Sequence, residues 1–209
     1  LSLTIPDSVY PYLRVQKGEI NHIEDSASFK EAYNQGLKEL FDLILPWVPT
    51  GLKTSLDIGS GMGGIDILLQ KHFNHHVFLL DALETPPICE KHDKPFNSYQ
   101  TTEGFFYANG IDPDFLDYVP AKNAMHPETI SIFKSKKMDL ILSVGSYCFH
   151  YSPLEYLDLV KAACHKETIL IFDVRNRHTD WLEILRDNFT EVAVLLESEK
   201  FTKRVFEIK

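Results

Sequence analysis

A chain of 209 residues is long enough for one domain with a substantial core and too short for two. With 44% hydrophobic and 24% charged residues it has the composition of an ordinary globular protein, which excludes a disordered or fibrous one. Its 21 basic and 30 acidic residues leave a net charge of −9, a surface that repels phosphate backbones and disfavours nucleic acid as a partner. The densest basic run, Lys134, Lys136 and Lys137, is expected to be a solvated face just before a strand. Three cysteines, Cys89, Cys148 and Cys164, form no CxxC pair and are odd in number. Neither a disulfide framework nor a zinc knuckle is expected, and a reducing compartment such as the cytoplasm is the natural home. No apolar stretch approaches the ~18 residues that span a bilayer, so membrane insertion is not expected. No signal peptide is visible, although a start at Leu1 rather than Met leaves room for an excised piece of something longer.

In chain order, the first 25 residues read as irregular, broken by Pro6 and Pro11. Ser28-Phe29-Lys30-Glu31 reads as a capping box opening a helix whose stripe is Phe29, Tyr33, Leu37, Leu40 and Ile44, ended by Pro46. Thr54 to Ile58 is a short strand running into Gly59-Ser60-Gly61-Met62-Gly63-Gly64, with a helix from Ile65 to Phe73. The apolar run Val77 to Leu80 predicts a strand buried on both faces and ending at Asp81. A turn at Pro86 and Pro87, a helix from Tyr99 to Asn109 and a weak strand from Phe115 to Val119 follow. Met138 to Val144 is a buried strand, and Ser152-Pro153-Leu154-Glu155 predicts a capped helix to about Cys164. Thr168 to Val174 is another strand, and Thr179 caps a helix carrying Trp181, Leu185 and Phe189. Two strands close the chain, Glu191 to Leu196 and Phe201 to Ile208.

Strands alternating with helices predict an α/β fold, a Rossmann-like doubly wound sheet of seven strands, preceded over residues 1–50 by a helical cap. The last two strands, joined only by Glu197 to Lys200, must form a hairpin, because a parallel connection needs a dozen or more residues. The last strand is therefore antiparallel to the rest.

The glycine segment is the strongest chemical signal. Closely spaced glycines between a strand and a helix let a ligand approach the bare backbone, and Asp81, 22 residues after Gly59, is placed to accept from both hydroxyls of a ribose. A nucleoside-containing cofactor follows. Gly59, Gly61 and Gly64 formally satisfy GxGxxG, so NAD must be weighed, and an NAD-binding oxidoreductase is the alternative reading. Asp57, just before the turn, suits an ammonium group and suits a pyrophosphate badly.

Leu56-Asp57-Ile58-Gly59-Ser60-Gly61-Met62-Gly63-Gly64 resembles the first motif of the class I S-adenosylmethionine-dependent methyltransferases, and the antiparallel closing strand is likewise a mark of that family's sheet. The resemblance covers about residues 51–209. It implies that Gly59, Ser60, Gly61 and Gly63 line the methionine part of S-adenosylmethionine and that Asp57 reaches its amino group. Asp81 would hold the ribose, with Ala82 or Leu83 against the adenine. The family's usual acid after the third strand is not evident, and Asn123 takes that place. Ser143 to Ser146 would border cofactor and substrate.

Ligands of open parallel sheets bind beyond the carboxyl ends of the strands, which singles out Ser143 to Tyr151 and Asp173 to His178. There is no Asn/Asp-Pro-Pro-aromatic motif and no Pro-Cys nucleophile of the DNA-modifying enzymes. Ser and Gly end the fourth strand where metal-dependent O-methyltransferases place a carboxylate, so no metal is expected. His72, His75 and His76, on the edge opposite the glycine turn, read as surface polar residues. A hydroxyl acceptor gains from a base, and His150 is the first candidate, His178 the second. Tyr147 and Tyr151 either wall the substrate or pack; Arg175 and Arg177 either hold an anionic group or are surface charge. The stretches Ser146 to Tyr151, Glu155 to Asp158 and Ile171 to Arg175 are loosely similar to sugar O-methyltransferases of polysaccharide gene clusters. The expected function is methyl transfer to a small-molecule oxygen, a sugar hydroxyl first, with the N-terminal segment as a lid or a homodimerisation element. A non-catalytic cofactor-binding module of a larger protein is the remaining alternative.

Overall fold

The computed structural model describes residues 2–16, 20–82 and 97–209. The turn expected at Pro86 and Pro87, and the residues Leu83 and Cys89, lie outside the described residues. Seven strands form one sheet: β1 (Thr54–Ile58), β2 (His76–Asp81), β3 (Leu116–Pro120), β4 (Met138–Ser143), β5 (Cys164–Arg175), β6 (Phe189–Glu197) and β7 (Phe201–Ile208). Their spatial order is β3-β2-β1-β4-β5-β7-β6. The first five run parallel, while β7 is antiparallel to both β5 and β6. The expected hairpin forms, but β7 inserts between β5 and β6. Strand order reverses at β1, so the crevice between the carboxyl ends of β1 and β4 is the switch point where such sheets take ligands.

Helices cover both faces. On one lie α1 (Tyr10–Gln16), α2 (Ser26–Ile44), α3 (Gly64–Phe73) and α4 (Tyr99–Ala108); on the other α5 (Pro127–Lys136), α6 (Leu157–Ala163) and α7 (Thr179–Asn188). Strand residues alternate between two cores. Val77 and Leu79 face the first, Phe78 and Leu80 the second; Leu140 and Leu142 face the first, Ile141 the second. On β1, Leu56 and Ile58 take the second core, which turns Ser55 and Asp57, both buried, toward the side of α2 and α3. The N-terminal residues Val9, Leu13, Phe29 and Tyr33 belong to the same core as Ile65, Phe105 and Leu142.

Several elements depart from the sequence reading. The first 25 residues are not irregular throughout: residues 2–9 are, but the Pro6 carbonyl accepts from Val9 and Tyr10 N–H and leads into α1, which buries Leu13 and tolerates Pro11 in its first turn. Asp25, not Ser28, is the N-cap of α2, its carboxylate accepting from Ser28 N–H at 2.7 Å. Ser152 caps only the single turn Pro153–Glu155, and α6 starts at Leu157. Helix α7 is capped at His178 rather than Thr179, and Phe189 opens β6. Helix α5 has no apolar stripe to announce it in the sequence, Phe133 being its only buried residue. Lys134 and Lys136 are exposed as expected, but Lys137 is half-buried and donates to the carbonyls of Ala162 and Cys164 at 2.9 and 2.8 Å.

His75 is not a surface residue either. It is buried beside Ser55, Oγ to Nε2 2.9 Å, and burial lowers its pKa from 6.5 to about 4. The unfolded chain takes up this proton near pH 6.5 and the folded chain only near 4, so stability is present above 6.5 and is lost as pH falls toward 4. Over that window the group alone contributes about 3 kcal/mol. Urea unfolding of wild type and His75→Gln is expected to show a difference in pH slope of that sign, the wild type weakening more on acidification; parallel slopes would remove the effect.

Candidate functional site

The turn between β1 and α3 is fastened to β2. The N–H groups of Gly59 and Ser60 point to the Leu80 carbonyl at 2.7 and 3.4 Å, and the Asp81 carboxylate accepts from Gly61 N–H and Ala82 N–H, both at 2.6 Å. The Asn97 amide adds a bond to the Gly61 carbonyl at 3.4 Å and one to Asp81. Burial pushes the Asp81 carboxyl up, against the pull of these donors. These three donors take three of the carboxylate's four lone-pair sites, so one stays open to a ribose hydroxyl, and a second opens where the Asn97 amide turns away.

Three glycines of the turn have left-handed backbones, φ 80° at Gly59, 56° at Gly61 and 70° at Gly63. A Cβ on Gly59 would fall 1.9 Å from Ser146 Oγ, one on Gly61 2.8 Å from the Gln16 amide and one on Gly63 2.7 Å from the Phe106 ring. The turn is thus approached by the loop after β4, by α1 and by α4. Beneath it, Asp57 is 2% exposed, and its Oδ1 has no hydrogen-bond donor among the described residues. Burial first, then the neighbouring Asp66 carboxyl, raises its pKa well above the ordinary range. An orphaned buried carboxyl oxygen fits an ammonium group, and the left-handed glycines fit a ligand laid along the backbone.

Ser143 ends β4, where the sequence places it, but its side chain is already engaged. It is fully buried, and its hydroxyl is committed on both sides, donating to the Ile58 carbonyl at 2.6 Å and accepting from Tyr147 N–H at 2.9 Å. It borders the site by holding the end of β1 to the loop after β4. That loop is held again at Gly145, whose N–H donates to Asp173 Oδ2 at 3.0 Å, while Lys203 donates to Asp173 Oδ1 at 2.5 Å. Tyr147 packs: it is wholly buried and donates to the Pro153 carbonyl at 2.6 Å. Tyr151 is exposed.

His150 is exposed on this loop, its N–H donating to the Ser146 carbonyl at 2.7 Å. Partial burial lowers its imidazole pKa below 6.5, and the Arg175 and Arg177 charges lower it further. Arg175 lies over the Phe149 ring at 4.6 Å, and that ring meets His150 edge-on at 4.9 Å. His178 is engaged: it stacks on Trp181 at 3.9 Å, and its Nε2 accepts from Arg177 Nε at 3.0 Å. Asn123 ends the short turn Ala121–Asn123 beyond β3, half-buried, three residues after the Pro120 that aligns with Asp81. His72 and His76 stay at the far edge, His76 paired with Asp117 at 3.1 Å. Among the described residues, no three His, Cys, Asp or Glu side chains form a group able to hold a metal, and no helix is long and apolar enough to cross a membrane.

Asp66, Asn97, Gln16 and the Asp173–Lys203 pair were not read from the sequence. Only Asp66 left a signal, as a lone acid in the apolar run Ile65 to Leu69.

This is the Rossmann-like methyltransferase fold, seven strands with helices on both faces and the final hairpin antiparallel. No protein-family model and no curated protein matches the sequence. Among solved structures it is similar to a ribosomal protein L11 methylase from Lactobacillus delbrueckii subsp. bulgaricus (TM-score 0.58, 16% identity, 84% of this chain and 80% of the other covered). It is also similar to human methyltransferase-like protein 13 in complex with SAH (0.55, 14%, 82% and 81%). A third similar structure is a variant of MtNAS in complex with S-adenosylmethionine (0.57, 13%, 94% and 72%). At these identities the likeness is one of fold.

The geometry at Gly59 carries a direct consequence. Gly59→Ala combines a left-handed backbone with a contact that Ser146 must vacate, and is expected to lower stability by about 1–3 kcal/mol. Adding Ser146→Gly should recover the contact part and leave the backbone part, read as urea midpoints of the two variants and wild type.

Proposed function

We propose that the chain is an S-adenosylmethionine-dependent methyltransferase acting on an oxygen of a small molecule, with a sugar hydroxyl as the acceptor to test first. The observation that carries the reading is the buried Asp57 with an undonated oxygen beneath a left-handed glycine turn at the sheet's switch point. That place suits the ammonium end of an amino-acid ligand and is hostile to a pyrophosphate. Neighbours in fold crystallised with S-adenosylmethionine and SAH support it.

When bound, S-adenosylmethionine supplies a methyl group on a sulfonium. The chain's own residues then have separable tasks. Gly59, Ser60, Gly61 and Gly63 present bare backbone to the methionine part, and Asp57 accepts from its ammonium. Asp81 accepts from the ribose hydroxyls, and Ala82 and Asn123 flank the adenine. Ser143 acts at one remove, keeping the loop after β4 against the glycine turn. His150 takes the proton from the acceptor hydroxyl; partial burial, then the two nearby arginines, lower its imidazole pKa and so favour the neutral form that can accept. His178 is the weaker candidate, because Arg177 already occupies its Nε2. Residues 1–50 act as a cap, since Gln16 and Tyr33 both reach the glycine segment. The reducing cytoplasm suits the buried free thiols of Cys148 and Cys164.

Calorimetry with S-adenosylhomocysteine and NAD side by side tests the cofactor. Binding of the first is expected, weakened at least about tenfold in Asp81→Ala, which is about 1.4 kcal/mol; binding of NAD alone overturns the reading. With an acceptor found by screening tritiated methyl donor against sugars, glycolipids and small phenols, His150→Gln should lower kcat by about 10²–10⁴-fold. The wild-type rate should fall on acidification through a pKa below 6.5, because the base must be unprotonated. His178→Gln should cost far less.

A further inference from the structure

Asp66 is the most deeply placed acid of the described chain, with no exposed surface at all. It lies in the first turn of α3, and its Oδ2 is 3.6 Å from where a Cβ on Gly63 would stand. Neither of its oxygens has a donor among the described residues, and the same holds for Asp57 Oδ1. The two carboxyl groups are within hydrogen-bond reach of each other. As two carboxylates they would leave these three oxygens without a donor among the described residues and would repel in a buried site; a single proton between them makes an O–H···O bond.

Among the described residues the surroundings offer little other neutralisation. Tyr33 of α2 places its hydroxyl 2.3 Å from a would-be Cβ on Gly64, and burial first, then Asp66, push that phenol up, so it brings no charge. Asp81 of β2 adds a third negative group. Lys203 of β7 is the cation that reaches Asp57, and it is held by Asp173. Burial raises Asp57 well above the ordinary carboxyl range and Asp66 to about 6, so the pair keeps one proton at neutral pH.

We propose that Asp57 and Asp66 form a proton-sharing acid pair beneath the glycine turn, which gives up its proton to solvent when a ligand's ammonium group settles against it. The O–H bond of the pair breaks, the proton passes to buffer, and the two carboxylates accept N–H bonds from the incoming cation. Asp66 is thus a positioning residue that makes cofactor affinity depend on pH. The inference rests on the methyl-donor reading of the same turn.

The test is calorimetric binding of S-adenosylhomocysteine to the full chain in two buffers of different ionisation enthalpy, between about pH 5.5 and 7, where an α-amino group stays charged. Release approaching one proton is expected, with Kd falling about tenfold per pH unit as pH rises. In Asp66→Asn the amide donates to Asp57 in place of the shared proton, so release and the pH slope should both disappear. Infrared difference spectra should show a protonated-carboxyl C=O band lost on binding in wild type and absent from Asp66→Asn. Binding without proton release, or release undiminished in Asp66→Asn, overturns the inference and leaves the cofactor reading standing. If Asp66→Asn does not fold, the wild-type release and infrared band decide alone. Absence of any binding overturns both.

Discussion

The site depends on how the β1–α3 turn is gripped by β2. Two successive N–H groups reach toward one carbonyl, Leu80, and the next glycine gives its N–H to the carboxylate that follows, Asp81. A turn with three left-handed residues has little intrinsic preference for one shape, since glycine loses the most conformational freedom on folding. These bonds to β2 supply that preference. They are available because β1 and β2 pair in register up to Ile58 and Leu80, so the two strands end side by side. Asp81 therefore shapes the turn before any ligand arrives.

The opposite wall of the crevice is built by the same means. β4 ends at Ser143, whose hydroxyl ties the loop to β1, and Gly145 ties it to Asp173 at the end of β5. Asp173 and Lys203 are each only 3% exposed, so the charge of one is tolerable only because of the other. The insertion of β7 beside β5 makes that pairing: Asp173 stands directly opposite Lys203 in the antiparallel register. A topological feature at one side of the sheet thus steadies the loop that carries Ser146 and His150.

The N-terminal segment is joined to this machinery through its packing. Tyr33 and Leu37 of α2 press on Gly64, and Gln16 at the end of α1 lies on Gly61. The acids beneath the turn are dry because α2 covers α3 on the side away from the sheet, leaving Gly64 to Gln70 buried without interruption. Charge, burial and the glycine turn are in this way one arrangement.

Much of this was legible in the sequence. Buried strands announce themselves by continuous apolar runs, as at Val77 to Leu80, and a short link such as Glu197 to Lys200 permits only a hairpin, so the parallel sheet with its reversed ending followed from local rules. The glycine turn and Asp81 followed too, because left-handed backbone needs glycine in its own sequence position. The tertiary structure alone decided which polar groups are spoken for. Ser143, Tyr147 and His178 are drawn into bonds and stacking by partners from other parts of the chain or from a helix geometry that residue type does not reveal. Asp66 became a second buried acid because α2, some thirty residues earlier, closes over it, and burial of a charge is a property of everything packed around it.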